Sequence, residues 1–384
     1  MRRSGVTPLS FSAKKDTLKT ALPFSLRWQN VTLDFEQDYE LDAVSLSAAL
    51  APVKNKLPLL RRLRLNFQCT MGFLWEKPLP VTSTCDIFEN TPNLRCVTLD
   101  YPLCSFKLPF SQLVELKINS PLGLDDLLRC CREATNLESL STMIDLHSTT
   151  HYPSADTTPC HFAKLTYLSI QDLTLPNPIK PSETVPRQLG PLLDKMTCPV
   201  LDEMWLNIAT KLPDAEYLPT MDSLFRFLRR SPLIKRFTID DNFKCDDNLI
   251  GLLECCPALE EFEVAHDHRG TIGTAFFERL TYREDSSTPT MCPRLRILDL
   301  GHRHNLESDE SALASAEMVA SRWHIADGAP IARLEKLVIN CYERECTTRL
   351  REFEAEGLEV SLPTLELVRV PKEQEKENSG CTSQ

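Results

Sequence analysis

The sequence predicts an α/β solenoid, with parallel strands lining a concave face and helices on the convex one. Three observations carry this expectation. A short apolar phrase recurs along the chain, its last two positions lie two residues apart, and segments with helical spacing separate successive copies. The phrase is an apolar residue, two arbitrary residues, a second apolar residue, one more arbitrary residue and a third apolar one. A spacing of two puts the second and third on one face of a strand. Recurrence roughly every 20–40 residues is the period of an irregular leucine-rich-repeat horseshoe rather than of a globular enzyme.

The copies run Trp28/Val31/Leu33, Leu60/Leu63/Leu65, Leu94/Val97/Leu99, Leu113/Leu116/Ile118 and Leu165/Leu168/Ile170, with Leu137/Leu140 an imperfect one. They continue as Leu201/Met204/Leu206, Ile234/Phe237/Ile239, Leu259/Phe262/Val264, Leu295/Leu298/Leu300, Leu334/Leu337/Ile339 and Leu365/Val368/Val370. Between them, amphipathic spacing predicts helices over 42–56, 124–134, 221–230, 249–255, 275–282, 311–323 and 347–355. In one of these, Leu224, Phe225 and Leu228 share a face while Arg226, Arg229 and Arg230 lie outside it. Prolines at 92, 232, 257 and 293 precede strands; a proline cannot continue a helix and biases its predecessor to extended backbone. Each unit thus has one apolar helix face and one apolar strand face, and only stacking buries both.

The expected organisation is an N-terminal lead-in or cap over 1–25, a solenoid over 26–370 and a disordered polar tail over 371–384. Two loops should interrupt the solenoid. One spans 147–160, rich in Ser, Thr, Pro and His; the other spans 173–187, with Pro176, Pro178, Pro181 and Pro186. Starts of successive units lie from about 19 to about 39 residues apart, so curvature should vary along the stack. Asparagines at 66, 119, 207 and 340 directly follow strands.

The chain has 384 residues and a formal net charge of −11. That charge argues against sequence-independent nucleic-acid binding, which needs phosphate neutralisation, and against an anionic membrane surface. There is no apolar run of signal-peptide or membrane-span length, so a cytoplasmic or nuclear location with reduced thiols is expected. Many of the 15 cysteines then read as small core residues, Cys130, Cys131, Cys255 and Cys256 among them. The sequence carries no phosphate-binding glycine loop, dinucleotide turn, nucleophile elbow, zinc-protease helix or Cys-x-x-Cys pair. The expectation is a protein that is not an enzyme and needs no cofactor.

A solenoid offers a surface. Residues alternating with the apolar strand positions should face the concave side and bind a protein partner. They are Arg62, Arg64, Thr98, Asp100, Glu115, Lys117, Tyr167, Ser169, Gln171, Glu203, Trp205 and Asn207, then Arg236, Thr238, Asp240, Glu261, Glu263, Asp299, Lys336 and Asn340. Trp205 stands out as a large aromatic at an exposed position: either an interface anchor or a side chain covered by a neighbouring loop. His266, His268, His302 and His304 form two His-x-His pairs just past adjacent strands; a polar rim is the expected reading, a metal or pH-sensing site the rarer one.

Four stretches suggest a family. They are Arg3-Ser4-Gly5-Val6-Thr7-Pro8-Leu9-Ser10-Phe11, Leu26-Arg27-Trp28, Leu57-Pro58-Leu59-Leu60-Arg61-Arg62-Leu63 and Met318-Val319-Ala320-Ser321-Arg322-Trp323. In this order and spacing the chain resembles the leucine-rich-repeat region of F-box proteins from mushroom-forming fungi, from Arg3 to about Val370. The resemblance implies an adaptor: an F-box docks on the ubiquitin-ligase core and the repeats hold the substrate. In the family the F-box precedes the stretch at which this sequence begins. A ligase adaptor is therefore an expected partner only with an F-box upstream, and a free-standing interaction module is the alternative.

Overall fold

The computed structural model describes residues 7–35, 43–66, 84–100, 105–144, 158–172, 189–208, 214–240, 246–265, 271–284, 289–301, 305–326 and 328–362. The chain opens with β1 (Leu9–Lys14), α1 (Lys15–Ala21), β2 (Trp28–Asp34), α2 (Ala43–Leu50), β3 (Arg62–Asn66) and β4 (Cys96–Leu99). The middle holds β5 (Glu115–Leu122), α3 (Leu124–Glu133), β6 (Ser139–Ile144), β7 (Cys160–His161), β8 (Tyr167–Asp172), α4 (Leu189–Lys195), β9 (Met196–Thr197) and β10 (Glu203–Ile208). Then follow α5 (Asp214–Arg229), β11 (Arg236–Asp240), α6 (Asp246–Glu254), β12 (Glu261–Val264), β13 (Thr271–Ile272), α7 (Thr274–Leu280) and β14 (Ile297–Asp299). The last elements are β15 (Asn305–Leu306), α8 (Asp309–Trp323), β16 (Lys336–Val338), α9 (Arg344–Ala355) and β17 (Glu359–Ser361).

Thirteen of these strands form one sheet in the order β1-β2-β3-β4-β5-β6-β8-β10-β11-β12-β14-β16-β17. Every adjacent pair is parallel. The order is the order of the chain, so each crossover advances by one place. Parallel crossovers have one hand, which collects the helices on one face. They pack there on their neighbours, α4 on α5, α7 on α8 and α8 on α9. Two short parallel ladders, β7 with β9 and β13 with β15, lie outside the main sheet.

The apolar phrase builds the core as three stacked ladders. Its first residues (Leu60, Leu94, Leu113, Leu137, Leu165, Leu201, Ile234, Leu259, Leu295 and Leu334) are all fully buried in the turns before the strands. The second residues pair in register from Val31 through Leu63, Val97, Leu116, Leu140, Leu168, Met204, Phe237, Phe262 and Leu298 to Leu337. The third residues do the same from Leu33 to Val264, with one polar member: Thr142 sits between Ile118 and Ile170. It is buried and its hydroxyl has no partner, which explains why that copy of the phrase looked incomplete.

The stretches that carried the resemblance do structural work. Trp28 is fully buried, its indole N–H donates to the Ala21 carbonyl at 3.2 Å and its ring meets Phe11 edge-on. Arg27 donates to the Thr7 carbonyl at 2.9 Å. Arg322 in α8 is fully buried. Its guanidinium donates to the carbonyls of Leu280 (2.7 Å), Met291 (2.6 Å) and Cys292 (3.2 Å), all from the preceding unit. Arg230 spans the turn after α4 in a similar way, donating to the Leu193 and Met196 carbonyls.

Some elements were not expected. The lead-in contributes the edge strand β1 and the helix α1, and the sheet ends on β17, where no phrase was read. Helix α4 was also unread. The strand expected at 365–370, the 173–187 loop, the 371–384 tail and nearly all of the 147–160 loop lie outside the described residues; Cys160 opens β7.

Candidate interaction face

Alternation puts every second strand residue on the side away from the helices. Burial follows suit: each buried residue of β3, β4, β6, β11 and β12 is flanked by half-buried or exposed ones. The register aligns these outward residues in rows, with neighbours about 4.8 Å apart. One row reads Asn30, Arg62, Cys96, Glu115, Ser139, Tyr167, Glu203, Arg236, Glu261, Ile297, Lys336, Glu359. A second reads Thr32, Arg64, Thr98, Lys117, Ser141, Ser169, Trp205, Thr238, Glu263, Asp299, Val338, Ser361. Gln171, Asn207 and Asp240 form a short third row.

Part of the charge on this face is already neutralised. Arg236 pairs with Glu203 at 2.6 Å, and Lys336 with Glu359 at 2.7 Å. Those hydrogen bonds hold both cations above their ordinary pKa values. Arg62 reaches Glu115 at 3.5 Å and donates to the Cys96 sulfur at 3.7 Å. Asn207 donates to Asp240 at 2.7 Å and Asn119 to Asp100 at 2.5 Å; both asparagines, expected to follow strands, lie within β10 and β5, as Asn66 does at the end of β3, and there they tie adjacent strands together.

The remaining charge is segregated. At one end stand Arg64, whose Nε donates only to the neutral Asn66, and Lys117. At the other stand Glu261, Glu263 and Asp299: Glu263 accepts from the Thr238 hydroxyl and Asp299 from the Gly301 N–H, Lys336 attracts Asp299 and Glu263, and Arg236 and Arg296 attract Glu261. Between them the second row carries Ser141, Ser169, Trp205 and Thr238, with no charge. Arg64 and Glu263 lie seven strands apart, about 34 Å at sheet spacing. An extended segment of about ten residues bridges that span.

Most expected face residues therefore share one surface: Arg62, Arg64, Thr98, Glu115, Lys117, Tyr167, Gln171, Glu203, Trp205, Asn207, Arg236, Asp240, Glu261, Glu263, Asp299 and Lys336. Asp100 sits one residue past the interior strand β4, where it accepts from Asn119. Two expectations need correction. Ser169 is buried, as a short side chain beside Trp205 would be, and Asn340 is buried because it follows β16, where Val338, Ile339 and Cys341 are all covered. Trp205 is half-buried. Ser139 and Ser141 were missed although their alternation with Leu140 marks them.

The four histidines at 266, 268, 302 and 304 lie outside the described residues. Among the described residues, no group of three or more His, Cys, Asp or Glu side chains could hold a metal ion. Among them, too, no helix is long and apolar enough to cross a membrane. Neither a family model nor a curated protein matches the chain.

Proposed function

We propose that the open sheet face is a protein-recognition surface and that the chain acts without catalysis. Its finer form is a leucine-rich-repeat horseshoe whose inner wall is this face, serving as the substrate-holding region of an F-box type ubiquitin-ligase receptor. The observation that carries the recognition reading is the charge-segregated, register-aligned second row. Arg64 and Lys117 at one end of it and Glu263 and Asp299 at the other, with Glu261 beside them in the first row, would set the direction of a bound segment. Tyr167 and Trp205, on adjacent strands between them, would supply the anchors, since aromatic residues and arginine dominate interface energetics. Support for the ligase link is narrower: it rests on the four sequence stretches and their order.

The test compares proteins captured from a fungal lysate by the full chain and by two variants, Trp205→Ala and the double reversal Glu261→Lys/Glu263→Lys. The reading expects a partner that both variants lose, with the circular-dichroism spectrum unchanged. Identical capture by all three would dismiss the face as the binding surface. Ubiquitin-ligase adaptor in the capture only when an F-box is joined upstream would support the finer form; a partner held with no ligase component under either condition favours a free-standing interaction module.

A further inference from the structure

The second row of the open face changes character at β3, β4 and β5. There the register sets Arg64, Thr98 and Lys117 side by side. Arg64 and Lys117 are exposed, and Thr98 is half-buried. The two long cations stand about 9.6 Å apart at the backbone, two strand spacings, with the short threonine as the floor between them. Hydroxyl side chains flank the trio, Thr32 on β2 and Ser141 on β6. The Arg64 Nε donates to the Asn66 side-chain oxygen at 2.7 Å, which fixes the plane of the guanidinium. Its two terminal amino groups, the Thr98 hydroxyl and the Lys117 ammonium make no hydrogen bond or ion pair among the described residues. The nearby acids are engaged elsewhere: Glu115 reaches Arg62 at 3.5 Å, and Asp100 accepts from Asn119 at 2.5 Å. Arg61 and Arg95, in the turns before β3 and β4, are exposed and add to the positive field.

We infer that this trio is a seat for acidic side chains of the bound partner, whose segment carries two carboxylates two residues apart at the end lying over β3–β5. The inference rests on reading the open face as a recognition surface. In an extended segment, side chains two residues apart share a face and lie about 6.7 Å from each other. Two such carboxylates fit between cations about 9.6 Å apart, one meeting the Arg64 fork and one the Lys117 ammonium, with the threonine hydroxyl beneath. Bonds of this charge-assisted kind are roughly twice as strong as neutral ones. The rest of the face selects against a long polyanion. Glu203, Glu261, Glu263 and Asp299 lie further along the same rows, and the chain carries a net charge of −11. A run of phosphates would meet repulsion there, where a peptide acidic only at one end does not.

Fluorescence anisotropy of the full chain tests this with labelled ten-residue peptides of serine and threonine around a central leucine. One carries Asp-Thr-Asp at an end, its control carries Asn-Thr-Asn, and both are made with the motif at either terminus. The expected result is that one acidic peptide binds at least about tenfold more tightly than its control at low salt, an advantage that shrinks at high salt. Arg64→Gln/Lys117→Gln should abolish the advantage. Lys56→Gln/Lys107→Gln, which removes as much charge outside the strands, should keep it. The inference is overturned if acidic and control peptides bind alike or not at all, if the two double variants lose equally, or if a ten-nucleotide single-stranded RNA binds more tightly than the acidic peptide. The wild-type comparison decides the matter even if a variant does not fold. Equal peptide binding, with lysate capture still lost in Trp205→Ala, removes this inference and leaves the recognition reading standing; capture unchanged in Trp205→Ala strikes that reading, and this inference falls with it.

Discussion

Replacing Arg322 by methionine should destabilise the C-terminal third of the stack by about 4 kcal/mol. Methionine keeps the aliphatic stem and removes the guanidinium. Arg322 is buried with no acidic partner among the described residues, and burial lowers it from 12.5 to about 10, so it stays charged at neutral pH. Holding that charge costs about 3 kcal/mol. Against this stand three bonds to backbone carbonyls, each contributing about 1.5–3 kcal/mol when the donor is charged. The bonds exceed the cost, and their loss takes this donor from the Leu280 and Met291 carbonyls, while the Cys292 carbonyl keeps the Leu295 N–H at 3.1 Å. Two of those carbonyls belong to Met291 and Cys292, and Cys292 stands at φ 46°, a left-handed backbone that a cysteine seldom adopts. The arginine therefore also holds a strained turn in place. Urea unfolding followed by circular dichroism measures the loss, and hydrogen exchange should localise it to residues 274–323. Arg322→Lys should behave like the methionine variant, because one ammonium cannot match a three-way planar fork. A methionine variant within about 1 kcal/mol of the wild type would refute the argument.

Thr142→Val keeps the side-chain shape and removes a buried hydroxyl without a partner, so it should raise the unfolding midpoint by the equivalent of about 1 kcal/mol; a lowered midpoint would mean that the hydroxyl is satisfied. The Glu343 carboxylate accepts from the backbone N–H groups of Cys346 and Glu345, which hold it below its usual 4.5. Its cap on α9 is fully present above that value and is lost as pH falls through the lowered one. In an NMR titration the Glu345 and Cys346 amides should move with a midpoint below 4.5, and a midpoint at or above it would contradict the cap. Once a partner is in hand, Trp205→Ala should weaken binding by about 30-fold, roughly 2 kcal/mol; an unchanged dissociation constant in calorimetry would remove the anchor.

The phrase was legible because three apolar residues in six positions must be buried together, and eleven strands of the sheet follow from it. β1 and β17 were not, for different reasons. Leu9, Phe11 and Ala13 alternate without the leading residue of the phrase, and Leu358, Val360 and Leu362 alternate in a stretch read only as the approach to a later copy. Alternation also gave the open face, but not which of its residues are free. Ser169 is buried because its row neighbour is a tryptophan, which only pairing across 36 residues of chain reveals. Arg322 looked like an ordinary polar position on a helix; its role depends on carbonyls from 30 to 42 residues earlier.

Because each strand bonds only to the strands before and after it, the molecule has no keystone. Tension applied between its two ends would be borne by every junction in series, and the weakest would part first while the others held their shape. Such a body behaves like a spring made of separate coils: it stretches by shedding units, and a segment lying across several of them would clamp those coils shut.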